Sequence, residues 1–358
     1  MIHKKASPAR GRMATLFLRH PAALLTILAL AALTSCENFE TDHEDYAYTA
    51  GFFPYQYPVR TLVLGDYIYD NSNDNAHKFV ISVAMGGVYE NSENRNFTIQ
   101  VDESLCNNLL FTGGGEPVKA LPAAYYTLNP ADRITIPAGK MNGGTEVQLN
   151  DAFFNDPLAI TLGYVVPVRL ISPADVDTIL SGLSARANPV LTDPSHWSVL
   201  PKNYTLFAVK YVNEFHGNYF HYGTSSVKDA TGATVETTTY SEKYVENNPV
   251  ARLITTARYQ VSLSINLNSQ VMTGAVDMLL NFNGNNCTVT AAPGSVYTIS
   301  GTGEFKTKAY NWGNKQRDGI VLNFTVSNGT QTYQASDVLV ARDRAIVMET
   351  FAPVIAAN

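Results

Sequence analysis

Charged side chains are scarce in this chain of 358 residues: Asp, Glu, Lys and Arg make up 16% of it, against about 25% in ordinary soluble domains. Low charge combined with 45% hydrophobic and 11% aromatic residues excludes an intrinsically disordered chain. The net charge of −6 and the lack of a Lys/Arg-rich run beyond the first 20 residues exclude an ordinary nucleic-acid-binding protein. Helical bundles need more Ala, Glu, Lys, Leu and Arg. Length and composition therefore favour two mostly β domains of about 150 residues each.

Cysteine is also scarce, with three residues and no CxxC, HExxH or Cys/His cluster, so we predict no metal site and no cofactor. Cys106 and Cys287 fall in different predicted domains. We expect two separate thiols, although an oxidising compartment would permit a disulfide. His216 and His221 are five residues apart on a predicted strand and project to opposite faces. Together with His43, they are interpreted as structural or surface residues.

The first 36 residues have the organisation of a secretory signal. Basic residues come first, and no acidic residue precedes Glu37. The uncharged stretch Pro21–Leu33 has 13 residues, which is too short for a transmembrane helix and fits the apolar core of a signal peptide. It runs into LTSC, which resembles the bacterial lipobox. We therefore predict a lipoprotein signal peptide over residues 1–35 and lipidation of Cys36; the alternative is an ordinary signal peptide with an incidental cysteine.

An acidic segment follows Cys36, over residues 36–50, and is predicted to be a tether. Acidic residues directly behind a lipidated cysteine resemble the signal that sends Bacteroidetes lipoproteins to the outer leaflet. Removing residues 1–35 would also remove five basic residues, leaving 20 basic against 31 acidic side chains and a net charge of −11. No later apolar run approaches 18 residues. We expect a protein anchored at the surface of the outer membrane by lipid alone.

Short β-rich runs separated by turn signals predict an all-β fold. Residues 51–187 contain about seven such runs, typical of an immunoglobulin-like β-sandwich, here without the Cys-Trp-Cys core signature. Helical spacing of apolar residues in Pro173–Ala185 predicts one short helix at the end of this domain. Residues 188–202 contain three prolines and little periodicity, which indicates a linker.

The C-terminal domain is predicted to cover residues 203–358 and to begin with the strand Tyr204–Val212. Asn-Gly turns at Asn283-Gly284 and Asn328-Gly329 join alternating runs, the strongest short-range signal for a β-hairpin. Eight to ten consecutive antiparallel strands predict either a lipocalin-like antiparallel barrel or a sandwich.

Catalytic motifs are missing from the sequence. GxSxG, the P-loop and a GxGxxG that opens a helix are absent, as is the acidic string of a family 18 glycoside hydrolase. Neither domain is long enough for a TIM barrel of about 250 residues. We therefore expect a protein without enzymatic activity, although a carboxylate pair assembled from distant strands stays open.

The most suggestive polar segment is Tyr310–Asp318, a loop between two strong strands. Sugars are bound by aromatic faces flanked by planar polar side chains. This segment offers both, and the candidate ligand-binding residues are Tyr310, Trp312, Asn314, Arg317 and Asp318. The alternative for Trp312 is a structural role as a lid over a barrel end.

Three segments carry a resemblance to a known family: GYVVPVRLISPADVDTILSG, KNYTLFAVKYVNEFHGNYFHYG and SGTGEFKTKAYNWGNKQRDGIVLNF. Together with the lipobox, they resemble the two-domain surface lipoproteins of Bacteroidetes polysaccharide-utilisation loci. In that family, an N-terminal β-sandwich of originally unknown function precedes a C-terminal all-β domain. Similar N-terminal domains also precede family 18 endoglycosidases, whose catalytic barrel this chain lacks.

The resemblance implies a non-catalytic, lipid-anchored accessory protein that binds oligosaccharide or glycan at the cell surface. Its implied partners are a TonB-dependent transporter and that transporter's partner binding lipoprotein. Two alternatives stay open: a structural or adhesive surface module that binds another protein, and a lipocalin-like carrier of a small apolar ligand in the C-terminal barrel.

Overall fold

The computed structural model describes residues 45–173 and 175–356. The predicted signal peptide, Cys36 and most of the tether lie outside the described residues. Strands β1 to β12 are Ala50–Phe52, Val59–Val63, Lys78–Gly86, Arg95–Val101, Leu109–Leu110, Lys119–Ala120, Tyr126–Asn129, Arg133–Ile136, Asn142–Leu149, Tyr164–Pro173, Thr178–Ile179 and Tyr204–Val212. Strands β13 to β22 are Gly217–Lys228, Thr234–Tyr240, Val250–Ala257, Gln260–Asn266, Ala275–Asn283, Asn286–Ala291, Thr298–Trp312, Lys315–Ser327, Thr332–Asp343 and Val354–Ile355.

The described residues are nearly all β, which confirms the predicted fold class. Within residues 45–173 and 175–356, two short α-helices interrupt the strands, α1 at Ser72–Asn75 and α2 at Asp151–Asn155. No helix within the described residues is long and apolar enough to cross a membrane.

The N-terminal region is a sandwich of two sheets. One sheet has the strand order β11-β1-β3-β9-β7, and the other has the order β2-β12-β10-β4-β8, with β6 paired to β10. Alternation in β3 turns Phe79 and Ile81 inward, where they meet Phe97 of β4 and Val168 of β10 in one buried cluster. The two inner faces therefore share a single apolar core.

The strand predicted to open the C-terminal domain belongs to the N-terminal sandwich. β12 pairs antiparallel with β10 and parallel with β2. Both of its faces are covered: Val209 and Tyr211 enter the sandwich core, while Leu206 enters a second apolar cluster on the other side. The chain leaves the sandwich after Val212, and the predicted start of the second domain at residue 203 is corrected accordingly.

The helix predicted over Pro173–Ala185 is wrong. The described residues 175–185 consist of bends, coil and the short strand β11, which pairs parallel with β1. The Asp175 carboxylate accepts a hydrogen bond from Asn96 N at 2.9 Å, and the Asp177 carboxylate accepts one from Thr49 N at 2.7 Å. These bonds join residues 79 and 128 positions apart in the sequence, so tertiary contacts override the local helical periodicity.

The C-terminal region is a closed antiparallel barrel of eight strands, which decides between the two predicted architectures. β13 and β15 to β21 follow one another around the barrel, and β13 pairs with β21 to close it. β14 lies outside this ring and pairs with residues 223–228 of β13. Alternate side chains fill the interior, among them Tyr219, Met278 and Phe324. This filling gives no support to the hypothesis of an apolar carrier.

His216, at the start of the barrel, predicts a pH dependence of stability. It is 6% exposed, and its Nδ1 accepts a hydrogen bond from Thr255 N at 3.1 Å. Burial, assisted by the nearby Arg344 charge, lowers the pKa of His216 from 6.5 to about 4. As the pH falls through 6.5, the unfolded chain binds a proton that the native protein refuses until about pH 4, so stability is lost.

From the two pKa values, acidification from pH 7 to pH 5 should cost about 2 kcal/mol of unfolding free energy through His216. His216→Asn preserves a hydrogen-bond acceptor but does not titrate. Urea unfolding of both proteins at the two pH values measures the difference. An equal loss for both proteins would contradict the assignment.

Candidate functional site

A cleft of about 990 Å³ lies between the loop that follows β2 and the adjoining end of the barrel. Tyr67 and Tyr69 line it from the loop, and Glu214, Arg252 and Arg317 line it from the barrel side. The volume lies at the upper end of the range for small-molecule sites, about 300–1,000 Å³.

The loop over residues 64–71, here named the tyrosine loop, is held firmly at its base. The Asn71 amide donates to Val63 O and to Gly65 O, both at 2.8 Å. From the barrel, Arg344 Nη1 donates to Leu64 O and Asp66 O, again at 2.8 Å each. These bonds fix the backbone at residues 63–66, just before the tyrosines, and tie Asn71 at the end of the loop to the same stretch.

The tyrosine loop presents aromatic surface to the cleft. Tyr67 and Tyr69 pack edge to face with ring centroids 5.4 Å apart. Tyr69 is 68% exposed, and Ile68 between them is 70% exposed. Aromatic groups carry two χ angles and lose little entropy on binding, so exposed rings on a fixed loop form a preorganised contact surface.

The opposite wall is built from the tip of the β19–β20 hairpin. A bulge between Lys306 and Tyr310 redirects the hairpin, and Lys308 there has φ of 50°. Its backbone N donates to Asp318 Oδ1 at 2.7 Å, which fixes the bulge. The sequence of this tip therefore determines its bend as well as its polarity.

Trp312 supports this wall from behind. Its Nε1 donates to Ala341 O at 2.9 Å, and its ring meets Phe220 edge to face at 5.1 Å on the outer face of β13. The Arg317 guanidinium lies over the indole, with Cζ 4.2 Å from the ring centroid. Trp312 thus has a structural role. It packs on the outside of the barrel wall rather than over a barrel end, and it positions Arg317.

The structure divides the five predicted ligand-binding residues. Arg317 and Asp318 line the cleft. Trp312 packs against the Arg317 guanidinium. Tyr310 lies half-buried against the backbone of Gly319, and Asn314 is exposed in the turn with φ of 57°. Direct contact with a ligand in the cleft is therefore expected from two of the five.

Sequence reasoning missed the tyrosine loop. Its signal is the Tyr-Ile-Tyr run at residues 67–69, enclosed by Asp66 and Asp70 and followed by an Asn/Asp-rich stretch. A run of aromatic residues in a turn-rich segment, outside any strand, is a candidate for an exposed contact surface.

Charges of both signs meet in the cleft. Burial raises the pKa of Glu214; the Arg344 charge opposes this rise, and the negative charge of Asp318 adds to it. Among the described residues, no group of three or more His, Cys, Asp or Glu side chains has the arrangement of a metal site. The cleft therefore offers hydrogen-bonding and ionic groups beside its aromatic surface.

A second hollow, of about 530 Å³, is lined by Tyr55, Tyr57, Leu200 and Met348 among others. Its charged neighbour Glu349 is already paired with Lys210 at 2.7 Å. Specific recognition of a sugar needs several polar groups that converge on the ligand. The cleft, which has them, is the stronger candidate site.

Fold and cleft together define a class: an all-β protein in which a two-sheet sandwich is followed by a closed eight-stranded barrel. A domain of unknown function, DUF5627, matches residues 214–345, which span the barrel strands β13 to β21. A second model, described as an N-terminal domain, matches residues 44–177. No curated protein matches the chain.

A solved structure from Bacteroides ovatus, of unknown function, is 36% identical, with a TM-score of 0.80 over 87% of this chain and 100% of that one. The chain belongs to the family of this Bacteroides ovatus protein. Two other Bacteroides ovatus structures are more distant. One, of unknown function, is 13% identical with a TM-score of 0.39 (85% and 99% of the chains), and a multidomain protein including DUF1735 is 12% identical with a TM-score of 0.39 (84% and 97%).

Proposed function

We propose that the protein is a non-catalytic, lipid-anchored accessory protein that captures glycans in the cleft at the cell surface. Its anchor is Cys36, its location is the outer membrane, and it passes oligosaccharide to a TonB-dependent transporter together with that transporter's binding lipoprotein. The N-terminal sequence and the family resemblance support the anchor, the location and these partners. The cleft supports the choice of ligand.

The observation that carries the proposal is the tyrosine pair on a fixed loop, in which Tyr69 is exposed and Tyr67 is half-buried. Large aromatic side chains are normally buried, and exposed apolar groups that line a cleft mark interaction sites. Tyr69 is mostly exposed, although its loop is anchored by Asn71 and Arg344. Rings held in this way can stack on the C–H faces of a pyranose, while polar side chains across the cleft bind its hydroxyls.

The test is retention of the protein in native gels that contain soluble polysaccharides, followed by titration with the matching oligosaccharides. Tyr69→Ala is expected to weaken the affinity about tenfold, equivalent to about 1.4 kcal/mol, because one stacking surface is lost. The matched control is Tyr244→Ala, which removes an exposed tyrosine that does not line the cleft.

Retention that survives Tyr69→Ala unchanged would contradict the cleft as the site. Failure of every polysaccharide to retain the protein would contradict glycan binding and would favour the adhesive alternative, a surface module that binds protein. Release of reducing sugar from a retained polysaccharide would contradict the non-catalytic part of the proposal.

A further inference from the structure

We propose that the ligand of the cleft is an acidic glycan, whose carboxylate or sulfate groups are bound by Arg317, Arg252 and the neighbouring lysines. The inference rests on the proposed function and names the ligand class for the same cleft. Three properties of the cleft carry it: the concentration of basic side chains, the lack of a carboxylate partner among the described residues for four of them, and the setting of Arg317.

Basic side chains are concentrated around the cleft. The described part of the chain contains 20 Lys and Arg residues. Six of them line the cleft: Arg252, Lys308, Lys315, Arg317, Arg342 and Arg344. Only four carboxylates line it, those of Asp66, Glu214, Asp318 and Asp343. The cleft is thus a basic region in a chain whose net charge is −6, and it would attract anions.

Two of these carboxylates are already occupied by donors of the chain itself. Asp343 Oδ1 accepts hydrogen bonds from Asn218 Nδ2 and from Ala345 N, both at 2.8 Å. Asp318 Oδ1 accepts the bond from Lys308 N. Both carboxylates are thus held by neutral backbone and amide donors, and among the described residues Arg342 is the one basic side chain of the cleft that forms an ion pair, with Asp343 at 3.5 Å.

Four of the six basic side chains at the cleft have no carboxylate partner among the described residues. Arg252, Lys308, Lys315 and Arg317 form no ion pair within 4.0 Å with any described residue. They come from different strands of the barrel and from the hairpin tip. A polyanionic chain in the cleft could meet several of them at once.

Arg317 has the most specific setting. Its guanidinium lies over the Trp312 ring, with Cζ 4.2 Å from the centroid, and Trp312 is itself fixed by the hydrogen bond to Ala341 O. Its Nε is buried and has no hydrogen-bond partner among the described residues, although buried donors are normally satisfied. A guanidinium stacked on an aromatic ring presents its N–H edge in one plane, which suits two-point binding of carboxylate or sulfate.

The experiment compares polysaccharides that differ in charge. One pair is polygalacturonate and its carboxyl-reduced form; the other is chondroitin sulfate before and after desulfation and carboxyl reduction. Polyglutamate serves as an anion without sugar. We expect an acidic member to bind at least about tenfold more tightly than its neutral form. Arg317→Gln should remove about tenfold of that affinity, and Arg252→Gln tests a cation that does not contact Trp312.

Lys243→Gln is the control, because Lys243 does not line the cleft. Thermal unfolding of each variant separates lost binding from lost folding. Equal binding of the neutral and acidic forms would overturn the acidic preference and leave the proposed function standing. Equal binding of polyglutamate would overturn sugar recognition as its basis. Binding unchanged in both arginine variants would overturn the residue assignment, and no binding to any polysaccharide would contradict the proposed function itself.

Discussion

Arg344→Met is expected to lower the free energy of unfolding by about 3 kcal/mol, because three part-buried carbonyl groups lose their donor, while a fourth, on exposed Asp66, can bind water instead. The guanidinium donates to His216 O at 2.7 Å, Asn213 O at 2.6 Å, and Leu64 O and Asp66 O at 2.8 Å each. Each carbonyl left without a partner costs about 1 kcal/mol or more. The side chain also joins the sandwich to the barrel, so its loss affects both domains.

The matched control is Arg342→Met, two residues away. Arg342 is about half exposed, and its ion pair is with its neighbour Asp343 at 3.5 Å. Exposed pairs of this kind contribute little, so the control should change the unfolding free energy by less than about 0.5 kcal/mol. Urea denaturation of the three proteins measures the difference. Equal losses in both variants would contradict the special role of Arg344.

Arg344 also connects stability with the candidate site. It holds the base of the tyrosine loop through Leu64 and Asp66. At temperatures where Arg344→Met is still folded, glycan affinity should fall as well, because the rings lose their fixed orientation. Arg344, which follows the last barrel strand, is thus expected to determine how the rings of the tyrosine loop are oriented.

The strands could be predicted from the sequence because their signals are local. Alternation in Phe79–Ala84 and the Asn-Gly turn at residues 283–284 depend on neighbouring residues alone, and both fall where the structure has strands and a hairpin. β12 could not be assigned to its sheet in this way. Its continuous apolar run indicates burial on both faces, but the identity of the partner strands is set by contacts with residues far away in the sequence.

The candidate site, too, has one part that could be predicted from the sequence and one that could not. The hairpin tip could be recognised because aromatic and polar residues occur together in one short segment, and Arg317 and Asp318 do line the cleft. The tyrosine loop lies about 250 residues earlier, and its link to the barrel runs through Arg344 and Leu64, 280 positions apart. No local pattern reports such a contact. Only the fold brings the two walls together.

Asp337→Ala is expected to destabilise the protein by about 2 to 4 kcal/mol, because two hydrogen-bonding partners inside the protein lose their carboxylate. Asp337 is 1% exposed inside the barrel, and its Oδ2 lies 2.7 Å from Nε2 of His221, which is 7% exposed. Its Oδ1 accepts a hydrogen bond from the hydroxyl of Tyr240 on β14. The substitution leaves buried His221 without this partner, and it leaves part-buried Tyr240 with only the weak contact to the Tyr333 hydroxyl at 3.4 Å.

The contact with Tyr240 gives the buried Asp337 carboxylate a second role beside its hydrogen bond with His221. β14 pairs with β13 alone, so Asp337 adds a side-chain link between that outlying strand and β21. Asp337→Asn keeps volume and hydrogen-bonding capacity and should lose less, about 1 to 2 kcal/mol. Asp277→Ala, on the exposed face of β17, is the surface control, with a change below about 0.5 kcal/mol. If chemical denaturation ranked Asp337→Ala with Asp277→Ala, the buried pair would have no role in holding the barrel and β14 together.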